Sequence, residues 1–402
     1  MTLSILIDLD NTLLINDSDR FIQAYLKKLG GYLSKWPPEK VISELMAGTR
    51  QMIVKDAPAE TLEQVFDKVF YPGLGIAKNA LRDRIDIFYR EVFPELRELT
   101  RPDPEAHRLI DYLFHKNHSV VIATNPLYPR TAILQRLAWA GLPVERYPFK
   151  LIGSYETFHF SKPNPAYLAE ALSRLGWIDQ PAVMIGDNLQ EDIIPATKLG
   201  LPAFWVNGAT PLPQGLHPLT SQGKLADVIP WLERLENEIS ETQVSTPVYI
   251  NSVLKSTPAA FEALTLNLSE AQWRERSNEN EWAANEIACH LRDADTEVNL
   301  PRLKTISAGE NPFLPGIVTD VWADERGYIN QNGPAALAAF VAVRTELVKL
   351  LGNLDAEGWK MPARHAIFGP TQLIELAGFI TTHDRTHIHQ LYDTIKRNET
   401  IK

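Results

Sequence analysis

Short runs of consecutive apolar residues recur through the first half of the chain, at Leu3 to Ile7, Val120 to Ala123, Leu151 to Ile152, Val183 to Ile185 and Phe204 to Val206, with helix-like segments between them. Runs that do not alternate with polar residues belong to strands buried on both faces, so the rhythm predicts an α/β, Rossmann-like parallel sheet. It has one long interruption. From about Leu14 to Pro104 no comparable strand appears, and apolar residues fall at helical spacing, as in Phe21, Tyr25, Leu29 and Val65, Val69. That segment reads as a helical insertion over the carboxyl ends of the strands, where open α/β sheets bind ligands.

The sheet rhythm ends near Leu235. Residues 236–247 are polar and acidic and finish at Pro247, which suits a linker between a front domain over 1–235 and a rear domain over 248–402. Behind it the period becomes helical. Ile250, Val253, Leu254, Phe261, Leu264 and Leu268 form one stripe, and Leu337, Phe340, Val341, Leu347, Val348 and Leu351 nearly form another, broken by Arg344. With Trp282 to Ile306 and Pro370 to Ile395 this makes four long helices, an all-α four-helix bundle.

Length agrees with two cores, since 402 residues exceed what a single core usually organises. A formal charge of -10 argues against a nucleic-acid or anionic-membrane partner. The one cysteine, Cys289, forms no intrachain disulfide and reads as a packed thiol. No apolar stretch approaches a membrane span, and the first residues lack a basic segment before their short apolar run, so a cytoplasmic setting is expected.

The predicted strands end in chemistry. Strand one runs into Asp8-Leu9-Asp10-Asn11-Thr12, placing Asp8 and Asp10 two apart on one side, where a divalent cation would relieve their repulsion. The second strand delivers Thr124 and Asn125, groups suited to phosphate oxygens. Lys162, in Ser161-Lys162-Pro163, supplies a fixed positive charge at the start of a helix. Gly186-Asp187-Asn188-Leu189-Gln190-Glu191-Asp192 adds carboxylates for a metal. Alone, Asp-x-Asp-x-Thr is usually a loop or a helix cap; four groups at successive strand ends have the parts that phosphoryl transfer needs.

In this order the set resembles the four motifs of the haloacid dehalogenase-like hydrolase superfamily, over roughly residues 1–235. The resemblance implies a capped phosphatase, with the insertion at about 14–104 as its helical cap. Asp8 would be the nucleophile, and Asp10 the acid and base. Thr124, Asn125 and Lys162 would hold the phosphoryl group of a small-molecule phosphate ester. Asp8, Asp10 through its main-chain carbonyl, Asp187 and Asp192 would serve a magnesium ion. The dehalogenase branch needs neither a second carboxylate nor metal acids, which favours a phosphatase; a phosphomutase keeps the same residues. Arg50, Arg82, Arg84 and Arg90 in the insertion read as solvated helix faces.

The second concentration of chemistry is histidine. Four of the ten lie between His365 and His389. In the last helix the inner stripe contains His383 and His387, four apart and hence on one face, while His389 falls outside it. His290 sits beside the inner face of the second helix, so three imidazoles meet inside the bundle in a spacing suited to a metal with open positions. His365 reads as a structural loop residue, and Trp273, Trp282, Trp322 and Trp359 as packing residues.

Trp282 through Asp295, Trp322 to Tyr328, and His383-Asp384-Arg385-Thr386-His387 with Gln390 resemble the DinB-like metal-binding bundles, over about 248–397. The resemblance implies that His290, His383 and His387 hold a divalent metal such as zinc or nickel. It leaves three roles open: a metal-dependent transferase or hydrolase using a thiol or water, a binding module, or a homodimer interface.

Overall fold

The computed structural model describes residues 2–177, 180–238, 245–309 and 311–400. They divide into two compact units: Met1–Asp56, Glu60–Leu168 and Gln180–Thr242 make the first, and Ala57–Ala59, Ala169–Asp179 and Gln243–Lys402 the second. Half of the expected linker, residues 239–244, lies outside the described residues.

In the first unit β1 (Ser4–Ile7) is followed by β2 (Leu14–Asn16), β3 (Thr100–Pro102), β4 (Ser119–Ile122), β5 (Leu151–Ile152), β6 (Ala182–Gly186), β7 (Ala203–Val206) and β8 (Ser221–Gly223). Six of them form one sheet in the order β5-β4-β1-β6-β7-β8, with every pair parallel. β1 lies inside the sheet, and all four of its residues are buried, which is why its sequence shows no alternation. β8 escapes the sequence reading because it is a polar edge strand, Ser-Gln-Gly, with no apolar run to betray it.

The insertion is mainly helical, led by α1 (Ser18–Tyr32), α2 (Pro38–Val54) and α3 (Leu62–Leu74). Its stem corrects the expectation of no strand: β2 and β3 pair antiparallel, Leu14 with Pro102 and Asn16 with Thr100. Local chemistry fixes the helix starts. Asp17 accepts from the Arg20 amide at α1, and Thr61 and Gln64 form a reciprocal capping box at α3. Back in the sheet region, α4 (Arg130–Trp139) follows β4 and α5 (Pro165–Ser173) follows β5.

The second unit carries four long helical segments. α6 (Pro247–Thr265) comes first. The second is α7 (Ala284–Ala294), a π turn at Asp295–Asn299, and α8 (Leu300–Ser307); α9 (Gly333–Gly352) and α10 (Leu373–Thr400) complete the set. The π turn interrupts the helix expected over Trp282 to Ile306. It precedes Pro301, whose ring has no N–H to donate and crowds the carbonyl four residues back. The last helix begins three residues later than expected. Gly369–Gln372 instead forms β11, antiparallel to β10 (Pro362–His365), which pairs parallel with β9 (Phe313–Leu314). No helix among the described residues is long and apolar enough to cross a membrane.

Candidate functional sites

At the carboxyl end of β1, Asp8 is buried and its amide donates to the Ile185 carbonyl of β6. Lys162, also buried, places its ammonium 2.6 Å from Asp8 Oδ1 and 2.5 Å from Asp192 Oδ1. Asp192 reaches this point because Gly186 leaves room: a Cβ there would stand 2.2 Å from Asp192 Oδ2. The same oxygen accepts from the Asn188 amide at 3.0 Å, and the Asn188 side chain caps the turn by accepting from the Gln190 and Glu191 amides. Trp205 on β7 donates to the Asp187 carbonyl at 2.8 Å, anchoring the loop.

Asp8, Asp187 and Asp192 each offer an oxygen within 4.8 Å of the others. Burial, then the charge of Asp8, pushes the Asp187 carboxyl up to about 7 against the opposing Lys162. Asp192 is raised to about 7 as well, by burial and then Asp8, with Lys162 again opposing. Lys162 itself is desolvated, but Asp192 and Asp8 more than offset that and hold its ammonium charged. The donors are hard oxygens carrying more negative charge than Lys162 balances, a set that fits a magnesium ion.

Thr124 is buried, and its carbonyl accepts from the Tyr167 hydroxyl at 2.6 Å. Asn125 donates to Glu191 Oε2 at 3.3 Å. The Asp10 side chain stands apart from the other three carboxylates, accepting from Asn16 Nδ2 at 3.3 Å and pairing with the Arg136 guanidinium. Asp10 as a metal ligand is therefore left to its main-chain carbonyl. Arg136, on α4, went unnoticed in the sequence. It is buried, which pulls it down to about 10 despite the nearby Asp8 charge, and its guanidinium lies over the Phe21 and Tyr128 rings. One of two arginines in a helix of mixed polarity, Arg-Thr-Ala-Ile-Leu-Gln-Arg-Leu-Ala-Trp, gives no sequence signal. Arg50, Arg82, Arg84 and Arg90 are exposed, as expected.

In the second unit the three predicted imidazoles do meet. His290 Nε2 and His383 Nε2 are 2.9 Å apart, and His290, His383 and His387 each place a ring nitrogen within 4.8 Å of the others. His387 Nδ1 lies 3.0 Å from Gln390 Oε1, and Gln390 in turn donates to Glu281. This partner fixes the proton on Nδ1 and leaves the Nε2 lone pair for the cluster. Burial, then the other imidazoles, lowers His290 to about 3 and His387 well below its ordinary value, so both are neutral. Among the described residues His290 Nδ1 is buried without a hydrogen-bond partner. Three imidazole nitrogen donors fit zinc or nickel.

Trp282 does more than pack: it lies parallel to His387 at 5.5 Å and 4.9 Å from His290, walling the cluster. His365 is not in a loop. It ends β10, stacks on Phe368, accepts the Ile367 amide at 3.2 Å, and shares a cavity of about 170 Å³ with His383 and Arg302. His389 is only partly exposed, with Nδ1 2.9 Å from the Gly176 carbonyl, so it does not simply face solvent. Cys289 is buried, as expected of a packed thiol.

Residues 5–206 match the family model for haloacid dehalogenase-like hydrolases. The chain belongs to that family. Residues 254–391 match the DinB superfamily model. A phosphoserine phosphatase from Thermus thermophilus is 29% identical over 179 residues, covering 39% of this chain and 66% of that protein. A glyceraldehyde 3-phosphate phosphatase from Methanothermobacter thermautotrophicus is 30% identical over 109 residues, covering 27% and 46%. The chain thus spans just under two thirds of one curated relative and about half of the other. Among solved structures, a HAD phosphatase from Thermococcus onnurineus is 18% identical with a TM-score of 0.40, covering 57% of this chain and 98% of that one. YfiT from Bacillus subtilis, with an unusual four-helix bundle topology, is 17% identical with a TM-score of 0.36, covering 40% and 92%.

Proposed function

We propose that the first unit is a magnesium-dependent phosphatase that hydrolyses a small phosphate monoester through an aspartyl-phosphate on Asp8. One observation carries the reading: Asp8, Asp187 and Asp192 converge on a single point with Lys162 beside them, at the ends of neighbouring strands. The names of the two curated relatives support a phosphate ester as substrate. Asp8 Oδ attacks phosphorus as the bond to the leaving oxygen breaks, and Asp10 gives that oxygen its proton. Water then attacks the aspartyl-phosphate, Asp10 takes the water proton, and inorganic phosphate leaves Asp8 free. Lys162 and the backbone around Thr124 and Asn125 hold the equatorial oxygens. A magnesium ion held by Asp8, Asp187, Asp192 and the Asp10 carbonyl would supply further positive charge for those oxygens. A panel of phosphomonoesters with magnesium tests this: phosphate release is expected from the native chain and not from Asp8→Asn. Equal release by both would overturn it.

We propose further that His290, His383 and His387 hold a divalent metal, zinc or nickel, able to activate a thiol or water. Metal analysis of the full chain should find one equivalent beyond magnesium, lost when all three become Ala. A cytoplasmic setting is part of the same proposal; it rests on the single thiol, Cys289, which burial pushes up to about 11 and away from disulfide chemistry.

A further inference from the structure

The insertion encloses a cavity of about 280 Å³ between α1, α2, α3, the Ile85–Tyr89 segment and the loop that leaves β4. Its wall is almost entirely aliphatic and aromatic. Among the residues lining it there is no Lys, Arg, His, Asp or Glu; the polar groups are Thr49 and tyrosine hydroxyls. Those few are already engaged or neutral. Thr49 donates back to the Leu45 carbonyl at 2.9 Å, and the Tyr25 and Tyr89 hydroxyls pair at 2.7 Å. Burial holds the Tyr25, Tyr89 and Tyr155 phenols protonated.

This wall is tied to the carboxylate site. Thr124 and Asn125 begin the loop that, within five residues, supplies Leu127, Tyr128 and Pro129 to the cavity. The Tyr128 ring carries the Arg136 guanidinium at 5.3 Å, and Arg136 pairs with Asp10. Through Tyr128 and Arg136 the cavity wall is thus linked to Asp10, the group assigned to protonate the leaving oxygen. Its outer rim is apolar too: Ile22, Met46 and Ile53 line it while 44%, 40% and 38% exposed. Apolar residues kept open to water around a cavity mark a place for an apolar guest.

We infer that the substrate is a phosphate monoester whose alcohol has an apolar, aromatic or branched body, seated in the cavity of the insertion while its phosphate lies at Asp8. The inference rests on the phosphatase reading and narrows it. The curated relatives carry names that point to phosphoserine and glyceraldehyde 3-phosphate. Phosphoserine would bring an ammonium and a carboxylate against a wall with no counter-charge, where an unpaired buried charge is strongly disfavoured. An aryl group loses nothing there and gains by leaving water.

The experiment compares 2-naphthyl phosphate, phenyl phosphate, O-phosphoserine and glyceraldehyde 3-phosphate on the full chain with magnesium, following phosphate release. 2-Naphthyl phosphate should exceed O-phosphoserine by at least ~10-fold in kcat/KM, the scale on which apolar pockets discriminate. Met46→Glu and Ile22→Asp, both on the exposed rim and so tolerated by the fold, should erase that preference while the urea midpoint stays at the native value. A titration of 2-naphthol fluorescence, which needs no turnover, should report binding to the native chain and its loss in Met46→Glu. Release that favours O-phosphoserine, or a preference untouched by both rim variants, overturns the substrate class and leaves the phosphatase reading standing. Release from none of the four esters overturns the phosphatase reading, and the substrate class with it.

Discussion

Each unit buries a cation between two aspartates, and the two clusters differ in what is left over. In the bundle, Arg344 is fully buried and every N–H of its guanidinium is used. Nε and Nη2 donate to Asp295 at 2.7 and 3.2 Å, Nη2 and Nη1 donate to Asp384, and Nη1 also reaches the Leu254 carbonyl at 3.1 Å. Thr257 and Asn299 donate second bonds to two of the same oxygens, Asp384 Oδ2 at 2.8 Å and Asp295 Oδ1 at 2.9 Å. The network joins α6, the π turn, α9 and α10, and its planar fork is saturated. In the first unit Lys162 also bridges two carboxylates, but as a point charge, and Asp187 stands beside them with no ion pair among the described residues. One cluster is closed and holds helices together. The other keeps spare negative oxygens facing a common point, which is what a metal and a phosphate require.

The largest effect should come from removing the cation of the open cluster. Lys162→Gln leaves the buried Asp8 and Asp192 charges facing each other and strips the phosphate of its main-chain-independent positive partner, so phosphate release should fall by about 10³-fold, the range for losing one preorganised electrostatic group. A rate within a few-fold of native would show that Lys162 is merely structural. In the closed cluster the loss should appear as stability. Arg344→Met abandons two buried carboxylates and should cost about 3–5 kcal/mol in chemical denaturation of the full chain. Arg344→Lys should recover only part, because an ammonium cannot make both forked pairs. Hydrolysis below the unfolding temperature should be unchanged, and a fall in step with Lys162→Gln would erase the distinction between the clusters.

How visible these sites are in the sequence follows from the same physics. Asp8, Thr124, Lys162 and Asp187 stand out because each follows a fully buried strand or opens a helix, so a polar residue there breaks an apolar run. His383 and His387 are visible through their four-residue spacing. Arg344 shows only as a defect in an apolar stripe, its partners lying 49 and 40 residues away. Arg136 and Trp282 belong to no pattern that a linear reading can separate from packing. β8, β10 and β11, reading Ser-Gln-Gly, Pro-Ala-Arg-His and Gly-Pro-Thr-Gln, carry no apolar run to mark them and are held by register rather than by composition. The cavity of the insertion depends on how several helices meet, which no single periodicity encodes.

A smaller effect tests the histidine cluster. Gln390 touches no metal position, but it holds the His387 proton on Nδ1, so Gln390→Ala should weaken zinc or nickel affinity by about 10–100-fold without unfolding the chain. Competition with a coloured chelator measures it. Unchanged affinity would mean that His387 is oriented by Trp282 stacking alone.

The smallest expected effect concerns His118, which lies outside both sites. It is buried, its Nδ1 accepts the Leu3 amide at 3.1 Å, and burial lowers its pKa against a weaker opposing pull from Glu236. A histidine kept neutral in the fold but free to protonate when unfolded contributes stability above its ordinary pKa of about 6.5, and that contribution drains away as pH falls through it towards the lowered folded value. The sign is the reverse of a histidine that gains a carboxylate partner. The urea midpoint of the native chain should therefore drop between pH 7.5 and 5.5 more than that of His118→Gln, whose amide oxygen can still accept from Leu3 but cannot titrate. Equal drops in the two proteins would show that His118 takes up its proton as readily inside the fold as outside it.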